Sequence, residues 1–443
     1  MSIGWRAQGA AWALLAATSG CSGGDDLVDG HFTAEEWAAL QMLSPLPPAP
    51  DDPYNKYADD PAAAELGHQL FFDSRYSGAL GPDNECVGCG AVGVPGDSQK
   101  MGCYQCHMPP SFADRRSNPS NTSLGVSWTE RNAPSLLNVV HYEWLGWAGK
   151  QDSLFTQAAG SPESSTNSKG TRLGYAHLLF DHYRDEYDAI FDDPLPAELD
   201  PAHPDAARFP PSGKPKSKAT DPDGPWEGMT PEDQDTVNRI MANQGKAVAA
   251  YERLLVSGEA PFDRYIAGDT AAISESAKRG ARLFVGKAGC VACHSGPTFT
   301  DNDFHNNGAP QIGDHVLDVD EGRYEDVAKL LSNTFNTAGP YSDDRTTGKL
   351  DGVAQDPADR GKFRTKQLRS VAESAPYYHT GALATLRDVV EFYNLGGGES
   401  GYVGDKDPKI VPLNLSTAEI DDLVAFLESL TGEGPPPELL AAP

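Results

Sequence analysis

Two pentapeptides, Cys103-Tyr104-Gln105-Cys106-His107 and Cys290-Val291-Ala292-Cys293-His294, constrain this chain more than any other feature. They are the only places where a CxxC pair is followed by histidine. Each reads as a covalent haem c attachment site. Cysteines three apart can take both haem vinyl groups as thioethers, and the adjacent histidine then lies against the porphyrin face as proximal iron ligand. A third pair, Cys86 and Cys89, is followed by Gly90 and supplies no such imidazole, so two haems are expected, not three. A zinc knuckle or a local disulfide is the alternative for a lone CxxC. It does not suit two copies that each follow a Gly-x-x-Leu-Phe segment, Gly67 to Phe71 and Gly280 to Phe284.

At 443 residues the chain has room for two cores plus linkers. The first 21 residues carry Arg6, a short apolar run from Ala10 to Ala17 and then Thr18-Ser19-Gly20-Cys21, which reads as a secretory signal ending at a lipoprotein cysteine. The apolar run is too short to span a bilayer. Thr18 stands where a large aliphatic residue is usual, so ordinary signal cleavage is the alternative. A periplasmic protein, attached to the membrane only by a lipid on Cys21, is expected. The net charge of −29 excludes nucleic acid as a partner, because phosphates would be repelled. It suits a basic redox partner and equally a merely soluble protein.

Residues 22–57, rich in Gly, Pro and Asp, read as a flexible tether, interrupted by a short helix near Thr33 to Met42 with a Thr33/Glu36 capping box. A first haem c domain is assigned to 58–260 and a second to 261–435. Helical patterning runs over Pro61 to Phe72, Arg172 to Phe191, about Thr236 to Leu255, about Ser274 to Val285, and onward from a Ser416/Glu419 cap. The stretch 192–235 is dense in Pro, Asp and Gly and reads as a surface excursion. Cys86 and Cys89 read as a disulfide in an oxidising compartment. The fold class is therefore mainly α, two cytochrome c-like haem domains in tandem.

All six methionines precede Cys290, so the second haem has no local methionine ligand. His305, His315, His379 and the tyrosines are left as candidates. No histidine lies between His107 and His141, and an open far face on the first haem is the simplest reading. An open iron that meets peroxide needs a group to move a proton between the two oxygens. Glu163 and Gln157 are the local candidates; the plain alternative is that both are solvated helix-end residues. Trp147 can carry electrons between haems or simply pack in a core.

These residues are set in Asn132-Ala-Pro-Ser-Leu-Leu-Asn138, Trp147 through Gln157, Arg282 through Pro297, and Phe363 through Gly398 with its Ala375-Pro-Tyr-Tyr-His379-Thr-Gly381. On these segments the chain resembles the bacterial di-haem cytochrome c peroxidase family, in its MauG-like branch. The resemblance implies His107 as proximal ligand of the peroxide-reacting haem, His294 as that of the second haem, Trp147 between haems and Gln157 at the distal glutamine. It implies a bridging calcium at Asn132, Ser374 and Pro376. Where conventional members carry the methionine ligand, fourteen residues after His379, this chain has Tyr393. The histidine that blocks the distal site in some members would fall near Ser123 or Leu124 and is absent. The family's catalytic glutamate commonly stands ten residues after the glutamine, here Asn167; Glu163 stands six after it. Lys366 and Ser370 replace the usual Pro and Asn of the Phe-x-x-Pro-x-Leu-Arg-Asn block.

The expected function is a periplasmic peroxidase that reduces hydrogen peroxide at an open N-terminal haem, with a His294/Tyr393 haem storing or relaying oxidising equivalents. Its electrons would come from a small cytochrome or cupredoxin. In the MauG-like alternative, a tryptophan on a partner protein is oxidised as a maturation step. A non-enzymatic di-haem electron carrier is the third reading.

Overall fold

The computed structural model describes residues 27–85, 88–116 and 122–443. Its regular structure is almost entirely helical. The helix α1 (Ala34–Gln41) is followed by α2 (Pro61–Phe72), α3 (Leu154–Gly160), α4 (Arg172–His182), α5 (Arg184–Ile190) and α6 (Pro231–Glu252). Then come α7 (Pro261–Ile266), α8 (Glu275–Val285), α9 (Arg323–Ser332), α10 (Leu386–Asn394) and α11 (Thr417–Glu428). A two-residue antiparallel pair, β1 (Phe304–His305) with β2 (Phe363–Arg364), is the sheet among the described residues.

The two halves repeat one packing device. In the first, α2 crosses α6 so closely that a Cβ on Gly67 would lie 1.9 Å from the Ala247 carbonyl oxygen; in the second, α8 crosses α11 and a Cβ on Gly280 would lie 1.9 Å from that of Asp422. These are the glycines of the repeated Gly-x-x-Leu-Phe segment. Its phenylalanine follows suit: Phe71 packs on Tyr251 at 5.1 Å between ring centroids, and Phe284 on Phe426 at 5.1 Å. One core gathers Leu66, Phe71, Phe155, Leu179, Val237 and Tyr251; the other gathers Phe262, Phe284, Phe299, Leu386, Leu423 and Phe426. The architecture is two cytochrome c-like helical units in tandem.

Local chemistry explains the helix ends. Asp60 caps α2, and Thr230 caps α6 through the Asp233 amide with Pro231 in the first turn. That cap starts α6 at Pro231, earlier than the expected Thr236. The expected single helix from Arg172 to Phe191 is broken at Tyr183, where φ is −138°.

Two expectations need correction. The segment 27–57 is not a loose tether. The Thr33/Glu36 capping box forms as expected, but Phe32, Leu40 and Leu43 are fully buried in the second core. Arg369 donates to the Leu43 carbonyl, and Arg282 reaches Glu36 at 2.9 Å. The Pro-rich stretch 192–235 is not simply a surface excursion either. It buries Leu195, Leu199, Phe209 and Trp226 against the first core, because these scattered apolar side chains outweigh the polar composition around them.

The signal segment and Cys21 lie outside the described residues, as does Cys86; Cys89 is disulfide-bonded. No helix among the described residues is long and apolar enough to cross a membrane.

Candidate functional site

Each CxxCH forms a short turn after the helix that carries the Gly-x-x-Leu-Phe segment, at Cys103–Gln105 after α2 and at Cys290–Ala292 after α8. The four cysteines are free thiols. The two histidines are oriented in the same way: His107 Nδ1 lies 3.4 Å from the Phe112 carbonyl oxygen and 3.0 Å from that of Pro134, and His294 Nδ1 lies 3.0 Å from that of Phe299. Phe112 and Phe299 both take left-handed backbone, φ 51° and 56°, which aims those carbonyls. With Nδ1 donating, Nε2 keeps its lone pair for iron. Burial lowers the pKa of both rings, keeping them neutral as a ligand must be.

A cavity of about 460 Å³ opens on Cys290, Cys293 and His294 and is bounded by Tyr393, Tyr378 and Trp147. Tyr393 comes from α10, a helix not anticipated from the sequence. Asn307 Nδ2 donates to its hydroxyl at 3.0 Å. Burial pushes the Tyr393 phenol up, while donation from Asn307 opposes that rise by stabilising the phenolate.

Of the histidines left as alternatives, His305 and His379 also line this cavity, but their rings have other partners. His305 is held between Asp407 at 2.6 Å and Asp301 at 2.9 Å, so both ring nitrogens are taken; the Cys293 sulfur and these carboxylates push it up to about 10. Burial drives His379 down to about 3; its Nε2 faces the Gln311 amide nitrogen at 2.8 Å, and its ring stacks on Phe363 at 3.8 Å. His315 stacks on Trp128 at 4.1 Å.

Trp147 lies at the junction of the two halves. Its indole N–H donates to the Asn132 carbonyl at 2.6 Å, and its own carbonyl accepts from Arg364 N at 2.8 Å. The Asn132 side-chain amide donates to the Pro376 carbonyl at 3.1 Å and accepts from Ser123 at 3.2 Å. Exchanging the amide oxygen and nitrogen would place two oxygens together there, a donor set that calcium accepts. Ser374 stands two residues before Pro376 and turns its hydroxyl to the Val371 carbonyl.

Gln157 and Glu163 are not bonded to each other. Gln157 donates to Ser161 at 2.9 Å, and Arg172 grips both carboxylate oxygens of Glu163, its closest approach 2.7 Å. Arg172 lies over the Trp226 and Phe335 rings at 5.2 and 5.0 Å, and Lys214 donates to the Glu163 carbonyl. Trp226 and Lys214 come from the Pro-rich stretch, so that segment braces the Glu163 turn. Asn167, the other candidate position, accepts from Thr166.

Several polar atoms in and beside the cavity fit a bulky anionic ligand. Arg364 Nε and Nη1 and Lys366 Nζ are shut off from solvent and have no hydrogen-bond partner among the described residues. Unpaired buried cations are costly, and haem propionates are the carboxylates that would pair them. Together with two CxxCH turns whose cysteines are in no disulfide, this fits haem c.

The comparisons agree with this chemistry. Residues 61–271 match the family model for di-haem cytochrome c peroxidase. Cytochrome-c peroxidase IdrP1 of Denitromonas iodatirespirans is 34% identical over 403 residues, 89% of this chain and 87% of that protein. Methylamine utilization protein MauG of Methylorubrum extorquens is 38% identical over 191 residues, 42% of this chain and 43% of that protein. Among solved structures, a MauG-like protein associated with microbial copper homeostasis superposes with TM-score 0.58 at 22% identity, over 90% of this chain and 98% of the other. The diheme peroxidase BthA from Burkholderia thailandensis gives 0.55 at 21%, over 88% and 89%. Carrying two haem c attachment sites in tandem helical units, this chain is an oxidoreductase that belongs to the di-haem cytochrome c peroxidase family.

Proposed function

We propose that this chain is a periplasmic peroxidase that reduces hydrogen peroxide at the His107 haem, with a second haem held by His294 and Tyr393. The observation that carries the reading is that Tyr393 and His294 face one cavity while no methionine follows Cys290. Haem iron, when bound, supplies the electrons that break the O–O bond. The protein's part is to orient and to move protons. His107 and His294 are each locked by a backbone carbonyl. Asn307 donates to Tyr393 and favours its phenolate form. On the first haem, Ser123 and Leu124 stand where a blocking histidine would, and neither offers an imidazole, which supports an open far face. Glu163 is the proton carrier of this reading, with Gln157 on the preceding helix α3, and Trp147 links the two haem sites. A calcium ion at Asn132, Ser374 and Pro376 steadies that junction, and a lipid on Cys21 anchors the protein.

Tyr393 also favours a second reading, oxidation of a tryptophan on a partner protein, because a phenolate stabilises oxidised iron better than a thioether does. The mass of a co-expressed partner protein before and after peroxide tests it: a gain of oxygen on tryptophan supports maturation. Ferric EPR with stopped-flow mixing tests the peroxidase itself. A high-spin signal from the first haem and turnover of peroxide are expected; two low-spin signals without turnover would leave a plain electron carrier.

A further inference from the structure

Lys366 occupies the position where the resemblance gives proline, and its side chain enters the junction between the haem sites. Its Nζ lies 4.7 Å from the centroid of the Trp147 ring and 5.0 Å from that of Tyr142. Lys366 and His294 line the same cavity. The Lys366 Nζ is buried and bonded to no acceptor among the described residues. Arg364, two residues earlier and also against the Tyr142 ring, likewise has Nε and Nη1 unpartnered among the described residues. Two basic side chains thus meet at one tyrosine with no acid paired to them among the described residues; burial lowers the pKa of both, Lys366 steeply, and an anion bound beside them would restore the charge. Carboxylates elsewhere in this half are committed to other cations: Asp320 and Asp326 to Arg131, Asp263 to Arg369, and Asp301 and Asp407 to His305.

We propose that Lys366 is an anion-binding residue at the inter-haem junction, taking a haem propionate carboxylate and holding that ion pair against Trp147. Two aromatic faces stabilise an ammonium but do not replace a hydrogen-bond acceptor. The cavity lined by Lys366 is continuous with Cys290, Cys293 and His294, so the acceptor that completes the site belongs to the group bound there. The consequence is electrostatic. A positive charge beside a haem carboxylate favours the reduced iron, and the same charge over an indole opposes removal of an electron from it. Lys366 therefore acts as a positioning residue that sets how oxidising equivalents divide between the haems and Trp147. The proposal rests on the reading of Trp147 as the link between haems.

Holoprotein carrying Lys366→Met, Lys366→Arg or Lys366→Pro tests it, with haem content fixed by pyridine haemochromogen and potentials taken by spectroelectrochemistry. Lys366→Met and Lys366→Pro are expected to keep both haems and move at least one potential downward, and Lys366→Arg to restore it. Unchanged potentials in Lys366→Met, or a fall that Lys366→Arg does not restore, would overturn the assignment. Trp147→Phe separates the two ideas: if peroxide-treated Trp147→Phe still shares charge between haems, the Trp147 reading fails. The resting potentials, which do not involve that residue's oxidation, still report on Lys366.

Discussion

Asn307 donates a 3.0 Å hydrogen bond to the hydroxyl of Tyr393, bringing the loop after the second CxxCH against the helix that carries the candidate iron ligand. Tyr393→Met should move the second haem toward ordinary His/Met behaviour, with a higher reduction potential. Asn307→Leu should move it the opposite way, since a phenolate without its donor is a stronger base. Spectroelectrochemistry on both variants checks the pair, and unchanged spectrum and potential in Tyr393→Met would remove Tyr393 as ligand.

Arg172 and Glu163 form a pair whose side chains are 8% and 13% exposed. Glu163→Gln should slow peroxide cleavage about a hundredfold or more if this carboxylate moves the proton. Arg172→Met leaves the carboxylate partly buried without its partner and should cost roughly 3–5 kcal/mol of stability. Stopped-flow rates and denaturant midpoints separate the two effects. A wild-type rate in Glu163→Gln would transfer the role to another acid.

Glu252, at the end of α6, has one carboxylate oxygen with no partner among the described residues, and burial raises it to about 8. Below about pH 4.5 the carboxyl is neutral whether folded or unfolded. As pH rises from there toward 8, the unfolded chain ionises it and the folded one does not, so stability falls; above 8 the loss levels off. The total is on the order of a few kcal/mol. Glu252→Gln should therefore unfold later than wild type at pH 8 and together with it near pH 4. Equal midpoints at both pH values would show a partner for Glu252 in the holoprotein.

Gly67→Ala and Gly280→Ala each place a methyl group 1.9 Å from a backbone carbonyl oxygen of the crossing helix. Separating the helices should cost about 3 kcal/mol or more per site. Each variant is expected to lower the thermal midpoint and weaken haem retention in its own unit first. A wild-type melting curve in both would mean the crossings relax freely.

The CxxCH turns, the repeated Gly-x-x-Leu-Phe segment and the Thr33 and Ser416 caps were legible because each depends on residues a few positions apart. The α2 helix was readable end to end for the same reason. Arg172, Lys214 and Asn307 were not legible as site residues. Their relevance comes from partners brought in by chain reversal: Lys214 from the Pro-rich stretch and Asn307 from a loop that reads only as polar turn. Lys366 stood out in the sequence as a substitution, but nothing local indicates that its ammonium rests on Trp147.

The sequence by itself determined where two haems attach, and that methionine is missing from the second half, because thioether formation and proximal ligation are set by adjacent residues along the chain. Which phenols line the His294 cavity, what holds Glu163, and what stands over Trp147 were decided only by the tertiary structure. Those relationships join residues from nine to hundreds of positions apart through the path of the chain in space, and no local propensity encodes them.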